Sequence, residues 1–188
     1  MGELKPNISI MSILFALKSR QPLLKENTLC VYQISENIEE EYFGLLEGKI
    51  SENATMLLAI PTNIDHSLSP KGIQCGTIMT IVKKNESSQN INKKFEKILK
   101  QANDIIPDFE NKIIWIEKMT PTTYLKELGS DSIFGLIETK KMQKPQNKLS
   151  IEGLFCVGDS TQPNVSCCTQ AVKSGINVAT EINRHSSF

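Results

Sequence analysis

The sequence predicts an α+β protein, built mainly on an antiparallel sheet with helices on one face and followed by a C-terminal strand, turn and helix. Four β-branched stretches occur in the first half of the chain, each bounded by Pro, Gly, Asn or Ser. A periodic helix, Asn92–Ile106, follows them and is stopped by Pro107. A polar connector then precedes the last apolar stretch. This order of elements favours an antiparallel sheet with helices on one face.

The individual elements can be assigned in chain order. Residues Ile38–Leu46 are interpreted as a short helix after the second strand. A later strand is predicted at Lys112–Met119. Pro121 then suits the first turn of a helix that reaches Leu128 and stops at Gly129. The four early strands are predicted at Ile8–Leu17, Leu29–Ile34, Met56–Pro61 and Gln74–Val82.

A polar segment, Ser130–Ser150, is interpreted as a long connector with a boundary near Lys148. The expected domains are therefore residues 8–147 and residues 148–188. The second domain is expected to hold a strand, Gly153–Val157, then a turn, then a closing helix over about Thr169–Arg184.

The closing helix carries a stripe of small residues. Ala171, Gly175 and Ala179 lie four apart, so they share one side of the helix. Small residues at this spacing allow close approach of a sheet or a flat ligand. Ordinary core packing of a terminal helix is equally compatible with the pattern.

Composition excludes several classes of function. The 188 residues carry a formal net charge of zero, with a pI of about 6.7. Nucleic acid is not expected as a partner, because phosphate binding needs a basic excess or a basic stripe. The five cysteines are odd in number, include no C-x-x-C pair and follow no signal segment. A reducing intracellular compartment without a metal site is expected. No apolar run reaches the ~18 residues of a membrane span, so at most peripheral membrane contact is expected.

The stretch GLFCVGDSTQP, Gly153–Pro163, is the most informative part of the sequence. An apolar run that leads through a polar turn to a helix can present backbone N–H groups to an anion or an electron-rich ring. Gly158 would let the backbone pass close to a ligand, and Asp159 could accept a hydrogen bond from a ribose-type hydroxyl. A capped turn without a ligand explains the same residues equally well.

A serine hydrolase is the enzymatic alternative, because Gly-Asp-Ser also opens the nucleophile block of GDSL-type hydrolases. Ser160 would then need a downstream histidine with an aspartate before it. Only His185 follows Ser160, and no aspartate lies between them, whereas Asp65 and His66 lie far upstream. The second glycine of a Gly-x-Ser-x-Gly elbow is replaced by Gln162. The hydrolase interpretation is therefore rejected.

The segment IEGLFCVGDSTQP, with SGINVA in the following helix, resembles the C-terminal FAD-contact motif of the phytoene desaturase, carotenoid isomerase and retinol saturase group of FAD-dependent oxidoreductases. Two further segments resemble the same group, and all three occur in the family's order. They are DHSLSPKGIQCGTIMT, Asp65–Thr80, and TPTTYLKELGSDSIFGL, Thr120–Leu136. The resemblance covers roughly Ile8–Arg184.

The resemblance implies a substrate-domain sheet followed by the closing strand and helix of a glutathione-reductase-like FAD domain. Asp159 would contact the ribityl or pyrophosphate part of FAD, and Gly175 lies in the helix that approaches the flavin. Gly158, Ser160 and Thr161 would shape the turn. The sheet would receive an apolar small molecule, a carotenoid- or retinoid-like polyene. No catalytic acid or base is assigned, because the flavin carries the chemistry in this group.

Two departures from the family pattern set the remaining expectations. The run after the turn, Asn164–Gln170, contains no glycine where the family has several. The Gly-x-Gly-x-x-Gly segment that holds the ADP half of FAD is absent. The chain is therefore expected to be the C-terminal part of a desaturase, saturase or isomerase and to be inactive alone. It would be either a truncated gene product or one half of a split enzyme, the latter paired with a separate N-terminal FAD-binding half. The alternative is a degenerate, non-catalytic binding module without flavin.

Overall fold

The structure, a computed structural model, describes residues 8–25, 28–51, 54–129, 144–162 and 167–185. The chain forms two compact units, whose described parts are residues 8–129 and 144–185. The division falls between Asp131 and Ser132, earlier in the chain than the boundary expected near Lys148. Residues 144–147 therefore group with the C-terminal unit. The assignment of one domain to substrate and the other to cofactor stays a prediction.

The larger unit is built on a five-stranded sheet in which every neighbouring pair of strands is antiparallel. The strand order is β2-β3-β4-β1-β5. The α+β class and the antiparallel sheet predicted from the sequence are confirmed. The strands are β1 (Ile8–Lys18), β2 (Cys30–Gln33), β3 (Met56–Ala59), β4 (Ile73–Lys83) and β5 (Ile113–Met119).

One face of this sheet is covered by a long amphipathic helix. Helix α2, Ser88–Ile105, places Phe95, Ile98 and Ala102 on one side, and these residues are buried against the sheet. Side chains alternate along β1, so Met11, Ile13, Phe15 and Leu17 share the helix-covered face. The core also contains Met56, Leu58, Ile60, Ile78, Val82, Ile91, Ile106 and Phe109.

The opposite face of the sheet is largely apolar and much less covered, although the exposed Glu117 of β5 lies on it, opposite Leu14. Tyr32 on β2 is 66% exposed and Trp115 on β5 is 49% exposed. The register places these residues on the side of the sheet away from α2, since Tyr32 pairs with Leu57 and Trp115 with Ala16, which alternate with core residues along their strands. Between them lie half-buried side chains of the inner strands: Leu14, Ala16, Leu57, Ala59, Cys75, Thr77 and Met79. We call this set, with Tyr32 and Trp115, the open sheet face.

Helix α4, Pro121–Leu128, packs against β1 and β5. The Tyr124 hydroxyl lies 2.6 Å from the Oγ atom of the buried Ser12. The helix has the bounds predicted from Pro121 and Gly129, and Gly129 adopts φ 73° at its C-terminal end. Local signals were sufficient to predict this element.

The other helices of this unit agree with the sequence predictions to different degrees. Helix α1, Ile38–Leu46, has the predicted bounds. Helix α2 begins at Ser88 rather than at the predicted Asn92, because the Ser87 hydroxyl accepts a hydrogen bond from the Asn90 amide and starts the helix earlier. A short helix α3, Phe109–Lys112, was not predicted.

The described part of the smaller unit consists of a bridged segment, a turn and a helix. The strand predicted over Gly153–Val157 is reduced to one antiparallel bridge between Lys148 and Phe155. A strand requires a ladder of paired residues, and the described residues of this unit supply only this pair. Helix α5 spans Cys167–His185, close to the predicted Thr169–Arg184.

Candidate functional site

The turn Gly158–Thr161 follows the bridged segment of the smaller unit. Gly158 adopts φ 138°, a conformation that residues with a Cβ rarely adopt. The Thr161 hydroxyl donates a 3.0 Å hydrogen bond to the carbonyl oxygen of Gly158 and closes the turn. The backbone conformation at position 158 therefore favours a glycine, as expected from the sequence.

Helix α5 holds one side of the turn through two buried polar residues. The Ser174 Oγ atom accepts a 2.8 Å hydrogen bond from the Gly158 amide and donates one of 2.8 Å to the carbonyl oxygen of Ala171. The Gln170 side-chain amide donates to the carbonyl oxygen of Thr161. Both residues have no exposed surface. The turn is thus fixed relative to the first two turns of the helix.

Asp159 presents its backbone and its side chain to different partners. Its carbonyl oxygen accepts a 2.8 Å hydrogen bond from the Lys144 Nζ atom. Its Oδ1 atom accepts a 3.0 Å hydrogen bond from the Ser160 hydroxyl. The residue is half-buried, so its carboxylate has capacity for a further donor from a ligand.

The Ser160 hydroxyl donates a hydrogen bond to the carboxylate of the preceding residue, Asp159. A serine nucleophile needs a general base positioned to take its proton, normally a histidine. The hydrolase alternative is rejected on the sequence, which has no Asp between Ser160 and the one later histidine, His185.

Gly175, the fifth predicted cofactor residue, lies in α5 but not on its buried side. The buried positions are Gln170, Ser174 and Val178, which lie four apart. The small-residue stripe that contains Gly175 is therefore rotated away from the turn. The stripe does not serve as the packing face of this helix within the described residues.

Both glycines of the predicted site border free space. A Cβ atom added to Gly158 or to Gly175 would meet no atom within 4 Å among the described residues. Nothing in the described part of the chain explains a glycine at position 175 by close packing. The same holds for Gly129 and Gly153, so the open space does not by itself distinguish the two predicted positions.

Sequence reasoning missed the polar residues behind the turn. Lys144, Asn147, Gln170 and Ser174 contact the turn, and Lys144, Gln170 and Ser174 are buried. The only signal was the spacing of Gln170, Ser174 and Val178, which matches one helix face as well as the stripe does. No local pattern marks Lys144 or Asn147, which belong to the polar connector.

The other two segments that carried the resemblance lie in the larger unit. Asp65 starts a 3₁₀ turn, where its Oδ1 atom accepts a 2.9 Å hydrogen bond from the Ser67 amide. Hydrogen bonds from the Ser67 side chain and amide lower the pKa of Asp65. Thr120 caps α4 through the Thr123 amide at 3.2 Å. The Phe134-Gly135 pair and the glycine-free residues 164–166 lie outside the described residues.

Comparison with known proteins points to one group of enzymes. No known protein-family model matches the sequence. The sequence is similar to prolycopene isomerases. It is 29% identical to the chloroplastic prolycopene isomerase of Daucus carota over 173 residues, which cover 82% of this chain and 26% of the relative. Two prolycopene isomerases of an Oncidium hybrid cultivar are 29% identical over 140 residues, 67% of this chain and 23% of each relative.

These matches confirm the resemblance to the carotenoid isomerase group over most of the chain. The chain spans about a quarter of the length of the curated relatives. The activity, substrate and partners of a whole enzyme are therefore matters of proposal for this chain.

Other types of site find no support in the described part of the chain. It contains no group of three or more His, Cys, Asp or Glu residues that could hold a metal ion. None of its helices has the length and apolarity needed to cross a membrane. Cys30, Cys75, Cys156 and Cys168 are free thiols.

Proposed function

We propose that the chain forms the C-terminal part of an FAD-dependent oxidoreductase or isomerase that acts on an apolar polyene of the carotenoid or retinoid type. The observation that carries the proposal is the turn Gly158–Thr161, braced by α5 and bordered by free space at Gly158 and Gly175. The similarity to prolycopene isomerases indicates the ligand class.

The residues of the turn would serve the ribityl or pyrophosphate part of FAD, and the acceptor-only carboxylate of Asp159 favours the ribityl part. Asp159 would accept a hydrogen bond from a ribityl hydroxyl, while Gly158, Ser160 and Thr161 shape the backbone around it. Gly175 would leave room for the flavin beside α5. When bound, the flavin supplies the redox or electron-transfer chemistry, and these residues hold and orient it.

The open sheet face supports an apolar substrate. Its side chains are aromatic, aliphatic or sulfur-containing, apart from Thr77 in its centre, and the exposed Glu117 of β5 borders it. Such a surface favours a ligand that has no polar groups to satisfy, since burial of apolar area is itself favourable. A rigid sheet also suits a long, flat substrate better than mobile loops do.

A complete cofactor site needs a second component. The chain has no Gly-x-Gly-x-x-Gly segment to hold the ADP half of FAD. We propose that this half is supplied by an N-terminal FAD-binding polypeptide, either as a separate chain or as another part of a longer protein. Flavin should therefore bind to the combination and not to this chain alone.

Flavin absorbance after co-expression tests the proposal. The purified chain should contain no flavin, and the chain co-purified with the dinucleotide-binding half of a prolycopene isomerase should contain it. Asp159→Ala should lower flavin content of the pair at least tenfold. Asp104→Ala, an exposed change on α2, is the matched control and should leave flavin content unchanged.

A substitution on the open sheet face separates substrate binding from cofactor binding. Thr77→Lys would place a charge in the centre of the face, so turnover of a polyene by the reconstituted pair should fall at least tenfold with flavin content unchanged. Thr122→Lys on the exposed side of α4 is the control. Normal turnover in Thr77→Lys would argue that the polyene binds elsewhere.

A binding module without flavin is the second candidate. The glycine-free run after the turn, Asn164–Gln170, favours it, because the group that the sequence resembles has several glycines there. Asn164→Gly combined with Ser166→Gly should raise flavin affinity of the reconstituted pair if the chain is the flavin-binding part. No flavin in any combination, with or without these glycines, would favour the binding module.

A further inference from the structure

Lys144 is a buried lysine, and only 5% of its surface is exposed. Lysine is among the residues most rarely buried, because removing an ammonium group from water is unfavourable unless polar partners replace the water. The Nζ atom lies 2.8 Å from the carbonyl oxygen of Asp159. A buried cation is therefore directed at the backbone of the residue proposed to contact the cofactor.

Residues 144–147 brace the turn through further contacts. The Asn147 side-chain amide donates 3.0 Å hydrogen bonds to the carbonyl oxygen of Cys156 and to the Thr161 hydroxyl. The carbonyl oxygens of Lys144 and Pro145 accept hydrogen bonds from Gln162 at 3.3 and 3.0 Å. Both ends of the turn are thus joined to this segment as well as to α5.

The braces act on different atoms of the turn. Ser174 fixes the amide of Gly158, and Gln170 and Asn147 fix Thr161. Lys144 acts on the carbonyl oxygen of Asp159, in the middle of the turn. A hydrogen bond from a charged donor is stronger than one between neutral groups. Loss of this bond would free the peptide that follows Asp159 and, with it, the direction of the carboxylate.

We propose that Lys144 is a positioning residue, which holds the Asp159 peptide so that the carboxylate of Asp159 is preset for its ligand. The claim that Lys144 fixes the turn, which is the conformational arm of the proposal, rests on the described contacts alone. The claim that this prepares Asp159 for FAD, which is the ligand arm, rests on the proposed function. Lys144 touches neither cofactor nor substrate in this proposal.

Amide hydrogen exchange of the chain without flavin tests the conformational arm of the proposal. Lys144→Met removes the donor and keeps the length of the side chain. Exchange of the Gly158 and Thr161 amides, which donate to the Ser174 Oγ atom and to the Gly158 carbonyl oxygen, should then accelerate about tenfold. Lys144→Arg retains a cationic donor and should stay within about threefold of wild type. Lys148→Met is the matched control, because Lys148 is exposed and pairs with Glu181 at 3.2 Å.

The amides of β1 and β4 report whether the larger unit remains folded. Unchanged exchange in the turn of Lys144→Met would overturn the inference. If this variant loses protection throughout the smaller unit, the shorter Lys144→Gln decides: acceleration confined to the turn supports the role, and wild-type exchange contradicts it.

The ligand arm uses the pair reconstituted with its dinucleotide-binding half. The dissociation constant for FAD should rise about tenfold in Lys144→Met and return to within about threefold in Lys144→Arg. Faster exchange of the turn with unchanged FAD affinity would contradict the positioning role. Failure of the wild-type pair to bind FAD would defeat the proposed function, while the exchange result would stand on its own.

Discussion

Gly76 lies directly opposite Phe15 in the β4–β1 pair, and the ring of Phe15 fills the space that a side chain at Gly76 would need. A Cβ atom at position 76 would lie 2.5 Å from Cζ of that ring and would also collide with the carbonyl oxygen of Ala59. The ring of Phe15 also contacts the ring of Phe109 edge to face, at a centroid distance of 5.0 Å. The glycine therefore allows an aromatic residue to lie flat across the sheet in the core.

Gly76→Ala should lower the free energy of unfolding by about 2 kcal/mol, the usual result of overpacking a well-packed core. Urea unfolding, followed by tryptophan fluorescence, measures the change. Phe15→Leu removes the ring, so Gly76→Ala should be milder by at least ~1 kcal/mol in that background. Strict additivity of the two changes would show that the collision with Phe15 is not the cause.

The hydrogen bond between Ser12 and Tyr124 should stabilise the contact of α4 with the sheet. Tyr124→Phe leaves the buried Ser12 hydroxyl without this partner and should lower the free energy of unfolding by about 1–2 kcal/mol. Ser12→Ala alone should have a similar effect. The double variant should lose less than the sum, with a coupling free energy of about 1 kcal/mol. A coupling near zero would mean that the short distance contributes nothing to stability.

Lys94 should make the stability of the larger unit depend on pH. Burial lowers the pKa of this side chain from its usual 10.5 to about 8, and charges on Glu86 and Glu41 oppose that change. Between these two pKa values the unfolded chain binds more protons than the folded one, so stability should rise as the pH increases from about 8 to about 10.5.

Lys94→Met removes the charge and should abolish this rise. At pH 7 it should stabilise the protein by up to about 3 kcal/mol, the free energy that corresponds to the lowered pKa. Chemical denaturation from pH 6 to 10.5 provides the test, with the exposed neighbour Lys93→Met as the control. A wild-type stability that is flat over this range would show that Lys94 is not penalised by burial.

Local signals predicted the elements whose ends are fixed by their own residues. Helix α4 has a proline at its start and a glycine at its end, and both bounds were predicted correctly. The start of α2 was wrong because Ser87 caps the helix, although a serine at this point is a recognisable signal. The antiparallel sheet was predicted from the order of the elements, in which four early strands precede the periodic helix.

Features that depend on contacts between distant residues could not be predicted from the sequence. The segment Gly153–Val157 has the composition of a strand but forms only one bridge within the described residues. Lys144 looks like part of a polar connector, and neither its burial nor its contact with Asp159, fifteen residues later, is marked by a local pattern. The buried face of α5 could not be predicted from the sequence either, because two sets of residues have the same spacing of four. One set is Ala171, Gly175 and Ala179, and the other, which is buried, is Gln170, Ser174 and Val178.

Gly175 is the position at which stability and ligand binding should respond in opposite directions. Because a Cβ atom there meets nothing within 4 Å of the described residues, Gly175→Ala should stabilise α5 by about 0.5–1 kcal/mol in the chain alone. The same methyl group would occupy space proposed for the flavin, so FAD affinity of the reconstituted pair should fall about tenfold. Thermal unfolding and flavin titration measure the two effects separately.

Asn177→Ala, an exposed change two residues along the same helix, is the control and should raise stability slightly and leave FAD affinity unchanged. Equal FAD affinity in Gly175→Ala and Asn177→Ala would remove Gly175 from the cofactor site.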